Sequence, residues 1–144
     1  MKRIAPLLLA TFVALAAAPA SAQRMPVPIV NHPDVPVQRG PGQPAPSAEE
    51  VRKAIVAAAD ATGRHWVLTE PSPGQMVATY HVRTHTVVTD IRYSATQFSV
   101  NFRESVNMKY APGGPTGTGV IHPFYNQWVQ DFVRAIQLEL ARVN

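Results

Sequence analysis

Residues 76–103 read MVATYHVRTHTVVTDIRYSATQFSVNFR, and their period decides the fold. Met76, Ala78, Tyr80 and Val82 alternate with Val77, Thr79 and His81. Val87, Thr89, Ile91 and Tyr93 alternate with polar positions that include Asp90 and Arg92. Phe98, Val100 and Phe102 alternate with Gln97, Ser99, Asn101 and Arg103. A two-residue period sends successive side chains to opposite faces, so each run is a strand with one covered face. The runs are separated by short links at Arg83-Thr84 and at Ser94–Thr96, which close antiparallel hairpins. Upstream, Arg64–Glu70 puts Trp66 and Leu68 on one face, and Pro71–Gln75 (PSPGQ) is a turn. Pairing Leu68 with Ala78, Tyr80 with Val87, and Tyr93 with Phe98 gathers every apolar set on one face. A one-residue slip in any hairpin would reverse this. The opposite face then carries His65, Thr79, His81, Asp90, Arg92, Ser99, Asn101 and Arg103.

Helices flank this block. Ser47-Ala48-Glu49-Glu50 is a capping box. Val51, Ala54, Ile55, Ala58 and Thr62 follow at helical spacing, and Gly63 suits a left-handed stop. This predicts a helix over 48–62. Beyond the glycine-rich stretch 111–120 (APGGPTGTGV), His122-Pro123 opens a second helix with proline in the first turn. Its stripe is Trp128, Val129, Phe132, Ile136, Leu140 and Val143. The expected fold is α+β in the order α-β-β-β-β-α, a four-stranded antiparallel meander with two helices packed on one face.

The N-terminal third reads differently. Residues 1–22 have the pattern of a signal peptide. Lys2 and Arg3 precede the uncharged apolar run Leu7–Ala18, and Ala20-Ser21-Ala22 is a small-x-small cleavage site, so the mature chain is expected to begin at Gln23. The apolar run is too short for a membrane span. Residues 23–46 are proline-rich and are expected to form a disordered, extended tether, because proline removes backbone donors and fixes φ. The folded domain is then 47–144. The chain has no cysteine, which excludes disulfides and thiolate chemistry. Without Lys2 and Arg3 it carries eleven Lys/Arg against nine Asp/Glu, a net charge of +2. A mildly basic exported domain is a poor candidate for binding nucleic acid. The expected location is periplasmic or secreted.

The densest polar and aromatic set lies in Ser105–Trp128. His122 and Asn126 are four apart, so they share one side of a helix start. The chain must bring Ser105, Asn107 and Tyr110 near them on its way into the helix. Ser105, Asn107, Tyr110, His122, Tyr125 and Asn126 are therefore the candidate binding residues. The structural alternative is a polar pin in which His122 caps amides, Asn126 ties down carbonyls, and Ser105 and Asn107 shape a turn.

The pattern Phe102-x-x-Ser105-x-Asn107-x-x-Tyr110, followed by Ile121-His122-x-x-Tyr125-Asn126-x-Trp128, resembles a motif in small exported proteins and lipoproteins of bacteria. The similarity runs from about Ser47 to the C-terminus. It implies an exported location and the same helix, four-strand, helix order, and it implies no activity. This chain departs from the lipoprotein members in having no cysteine at the cleavage site.

The expected function is a small exported, non-enzymatic binding or cell-envelope accessory module. Its partner would be an unidentified small molecule or envelope protein, and no cofactor is expected. The rival is a hydrolase or metal-dependent enzyme built on Ser105 and His122, for which no nucleophile-elbow pattern exists. His65 and His81 fall opposite each other in the expected register as weak metal candidates, but two imidazoles are an incomplete site. The polar face around Arg92, Asn101 and Arg103 is a further candidate for recruiting a partner, but Asp90 beside Asn101 and Glu104 nearby leave little concentrated charge, which favours a solvated face.

Overall fold

The computed structural model describes residues 24–142. The signal segment, Gln23 and Val143 lie outside them. The fold is α+β. Strands β1 (Val27–Pro28) and β2 (His32–Pro36) are followed by helix α1 (Ala48–Ala61). Then come β3 (Val67–Ser72), β4 (Gln75–Val82), β5 (His85–Tyr93), β6 (Gln97–Val106) and β7 (Val120–Ile121). Helix α2 (Phe124–Arg142) ends the described chain.

The meander from β3 to β6 forms in the expected register. Leu68 pairs with Ala78, Tyr80 with Val87, and Tyr93 with Phe98. Arg83 takes a positive φ of 54° in the tight β4–β5 link. One irregularity matters. Between Val88 and Thr89 the β5–β6 register shifts, so that Thr89 faces Phe102 while Val88 faces Glu104. Arg103 is the extra residue of this bulge. Unbroken alternation from Phe98 would have aimed Glu104 into the core, where an unpaired carboxylate is costly. The bulge turns Glu104 outward and sets Ser105 opposite Val87 on the covered face.

The sheet has five strands, in the order β2-β6-β5-β4-β3, and β1 and β7 form a separate two-stranded ribbon. The expected four-stranded meander thus gains a fifth strand, and residues 27–28 and 32–36, within the stretch expected to be a disordered tether, are strands. His32 pairs with Val100, and Val35 with Phe98. Proline is excluded from a central strand because both edges must bond. An edge strand bonds on one side only, and there proline is tolerated. Pro33 and Pro36 sit in that edge strand, and Pro71 sits in the opposite edge strand β3. Both borders of the sheet therefore resist further strand addition.

The helices cover one sheet face, as expected. Ser47 caps α1. Its hydroxyl accepts from the Glu50 amide (3.2 Å), and Glu50 accepts from the Ser47 amide (2.7 Å). The other Glu50 oxygen accepts from Arg39 at 2.7 Å. These bonds, chiefly the one from the Ser47 amide, hold the Glu50 carboxyl down at about 2. Small residues Ala54, Ala58 and Ala59 are buried beside Val51 and Ile55, which lets α1 lie close to its neighbours. Helix α2 buries Tyr125, Val129, Phe132, Val133, Ile136 and Leu140. Trp66 stacks on Phe132 with ring centroids 4.9 Å apart and so ties the sheet to α2. No helix of the described residues is long and apolar enough to cross a membrane.

Candidate functional site

The Ser105–Trp128 stretch meets the N-terminal segment, and the side chains of Thr118 and Asn126 bond that segment's main chain. Val27 pairs with Ile121 and Pro28 with Val120. The Ile29 amide donates to the Gly119 carbonyl (3.0 Å), and Thr118 Oγ1 donates to the Ile29 carbonyl (3.1 Å). Asn126 closes the seat from the helix side. Its Oδ1 accepts from the Val30 amide (3.0 Å), and its Nδ2 donates to the Pro28 carbonyl (2.9 Å). Asn31 Oδ1 accepts from the Phe102 amide at 2.8 Å. Between these anchors Ile29 is buried in the core. The stretch is thus a clasp on residues 27–31.

The other candidates divide into two groups. His122 Nδ1 accepts from the Phe124 amide (3.2 Å), which makes a neutral imidazole the cap of α2. Burial, aided by the positive charges of Lys109 and Arg24 and by His85, lowers its pKa, in keeping with that acceptor role. Asn107 takes a positive φ of 56° and donates Nδ2 to the Thr84 carbonyl (2.8 Å), while His85 Nδ1 donates to the Asn107 carbonyl (2.8 Å). Tyr110 lies half exposed over Phe102. Ser105 Oγ and Tyr125 Oη are buried without a hydrogen-bond partner. Burial raises the Tyr125 pKa, so its phenol is neutral. No hydrogen bond joins Ser105 to His122. The structure brings Asn126 and His122 together at the start of α2, and sets Asn107 at the far end of β6 as a turn residue.

His65 lies outside the strands. Its exposed ring is 3.9 Å from the Asp60 carboxylate, while His81 Nδ1 is bonded to Thr86 Oγ1 at 2.9 Å. Among the described residues no cluster of three or more His, Asp or Glu is placed to hold a metal ion.

The face of the five-stranded sheet turned away from the helices carries a trough of about 580 Å³. Two rungs cross it. Gln75, Arg92 and Ser99 stand side by side on β4, β5 and β6. Val77, Asp90 and Asn101 form the next rung. Asp90 accepts from Arg103 at 3.0 Å. Pro33 and Asp34, at the irregular step of β2 beside Ser99, form one wall, and Pro71 of β3 forms the other. Ser99 is buried, and Asn101 Oδ1 is enclosed without a partner. Among the described residues neither Arg92 nor Asp34 takes part in an ion pair. Sequence reasoning placed Arg92, Ser99, Asn101 and Arg103 on this face. It missed Asp34 and Asn31, which lay in the proline-rich segment. The signal there was a weak alternation of Val27 and Ile29, and of Val35 and Val37.

No protein-family model matches the chain, and no curated protein and no solved structure matches it either.

Proposed function

We propose that the chain is a small exported, non-enzymatic binding module of the cell envelope, acting in the periplasm or after secretion. Its working surface would be the open trough of the sheet, with no nucleic acid as partner. The single observation that carries this reading is the contrast between the two polar regions. Asn107, His122 and Asn126 direct polar atoms to the protein's own main chain. Arg92 and Asn101 line a concave surface and leave hydrogen-bonding capacity unused. A concave site with a few convergent polar groups is the usual form of a small-ligand site. The signal-like N-terminus supports the location, as does the resemblance of the Phe102–Trp128 motif to one in small exported bacterial proteins. The hydrolase alternative gains no support from Ser105, whose hydroxyl is buried and unbonded.

Native mass spectrometry of protein released gently from the periplasm tests the proposal. A bound small molecule is expected on the parent chain, at reduced occupancy in Arg92→Gln and in Asn101→Ala. A ligand-free parent whose trough resonances also ignore a periplasmic small-molecule extract would overturn it.

A further inference from the structure

We infer that the trough takes a short zwitterionic peptide of two or three residues, with its ammonium toward β2 and its carboxylate toward β5. The inference rests on the reading of the trough as a binding site and names the ligand class for it. Two side chains on this surface have opposite charges and no ion-pair partner among the described residues: Asp34 on β2 and Arg92 on β5. Asp90 and Arg103 also face the trough, but they neutralise each other at 3.0 Å. A simple anion would meet Arg92 together with the unpaired Asp34. A simple cation would meet the reverse. A ligand carrying both charges suits both.

The spacing sets the ligand's length. Strand β6 lies between β2 and β5, so Asp34 and Arg92 are two inter-strand steps apart, about 10 Å between main chains at ~4.8 Å per step. An extended chain advances at most ~3.3–3.6 Å per residue. Two or three extended residues match that main-chain separation. The groups between the two charges fit a peptide bond. Asn101 lines the trough, and its Oδ1, closed to solvent and without a partner as the side chain stands, would become an acceptor for a peptide N–H when the carboxamide turns toward the ligand. Ser99 offers a hydroxyl that both donates and accepts. Proline at both walls, Pro33 and Pro71, presents no amide that would draw the ligand sideways into a sheet edge.

The test is a titration of the ¹⁵N-labelled mature chain with trialanine, followed through the side-chain carboxamides of Asn101 and Gln97. Saturable shifts are expected. N-acetyl-trialanine and trialanine amide should each bind about two- to five-fold more weakly, the effect of one exposed ion pair. Asp34→Asn should bind trialanine and its acetylated form alike, and Arg92→Gln should bind trialanine and its amide alike. Both residues are exposed, so these variants keep the fold. If blocked and free peptides bind equally, or if acetate or phosphate alone binds as well as trialanine through Arg92, the peptide assignment is overturned and the binding surface stands. If neither the peptides nor a periplasmic extract shifts these resonances, both readings fall.

Discussion

Asn126 and Pro28, 98 positions apart in the chain, are joined by a hydrogen bond of 2.9 Å from the carboxamide to the carbonyl. The same carboxamide accepts from Val30, so one side chain at the start of α2 holds the main chain on both sides of Ile29. Asn126→Ala leaves the Pro28 carbonyl and the Val30 amide without these partners. The expected loss is about 1–3 kcal/mol, seen as a drop of roughly 3–5 °C in thermal midpoint for each kcal/mol. Asn126→Asp keeps the acceptor and loses the donor, and should fall in between. Coincident melts of parent and Asn126→Ala would show that the clasp contributes nothing to stability.

The two large aromatics of α2 should separate in a mutational comparison. Phe132 is fully buried against Trp66, and Phe132→Ala should cost about 3–5 kcal/mol. Trp128 is only partly buried, with edge contact to Tyr80 and a stacked contact to Phe124. Trp128→Ala should cost clearly less. Urea denaturation of both variants decides the order, and equal losses would contradict this account of the core.

Two glycines of the 111–120 loop offer a matched pair. Both have positive φ, +95° at Gly119 and +72° at Gly117. A methyl group at Gly117 meets nothing within 4 Å. At Gly119 it would lie 2.8 Å from the Tyr110 ring and 2.9 Å from the Ala111 carbonyl. Gly117→Ala should show only the backbone cost of an alanine at positive φ, on the order of 1 kcal/mol. Gly119→Ala should be the more destabilised and should protect the Ile29 amide less in hydrogen exchange, because Gly119 holds that amide.

Acid should weaken the protein in two separate windows. Burial lowers the pKa of His32, and burial with nearby positive charge lowers that of His122. The unfolded chain therefore binds more protons than the folded one just below the ordinary histidine value near 6.5. Stability is flat above that value and falls as the pH drops through it toward the folded pKa values. His122→Asn keeps an oxygen acceptor for the Phe124 amide and cannot titrate, so its melts should vary less between pH 7 and 5. The second window belongs to Glu50, whose pKa drops from 4.5 to about 2 on folding. Its contribution is complete above 4.5 and is lost as the pH falls toward 2. Hydrogen bonds from Tyr93 and Arg52 lower the pKa of Glu70 as well, so Glu50→Gln should shrink that lower step and leave the upper one.

The central part of this fold is legible in the sequence. The three hairpin registers follow from alternation and short links, since Leu68–Ala78, Tyr80–Val87 and Tyr93–Phe98 are the pairs that keep the apolar sets together. The capping box at Ser47 and Glu50 is a local pattern with a local cause. Strand β2 was not legible, because its proline content argues against a strand until one knows that it lies at an edge. The inward turn of Ser105 was also hidden. It depends on an extra residue at Arg103, and the run from Phe102 to Val106 does not announce one. Within the Ser105–Trp128 set, the capping by His122 and the anchoring by Asn126 follow from their residue types. What Asn126 anchors was not foreseen, since its partner is the N-terminal segment and not the glycine-rich stretch.

The placement of β2 has a consequence for the time order of folding. Residues 32–36 leave the ribosome, and cross the membrane if the chain is exported, long before residues 97–106, on which they pair. Residues 27–30 wait longer still, for Gly119 and Asn126. Among the described residues, the segment synthesised first is thus the last to find its place. Contacts this distant in sequence slow folding, so a chain halted before β6 would hold an unpaired β2, and one halted before α2 would lack the Asn126 bonds that hold the main chain around Ile29. Such an intermediate is the one that a chaperone or a protease would meet.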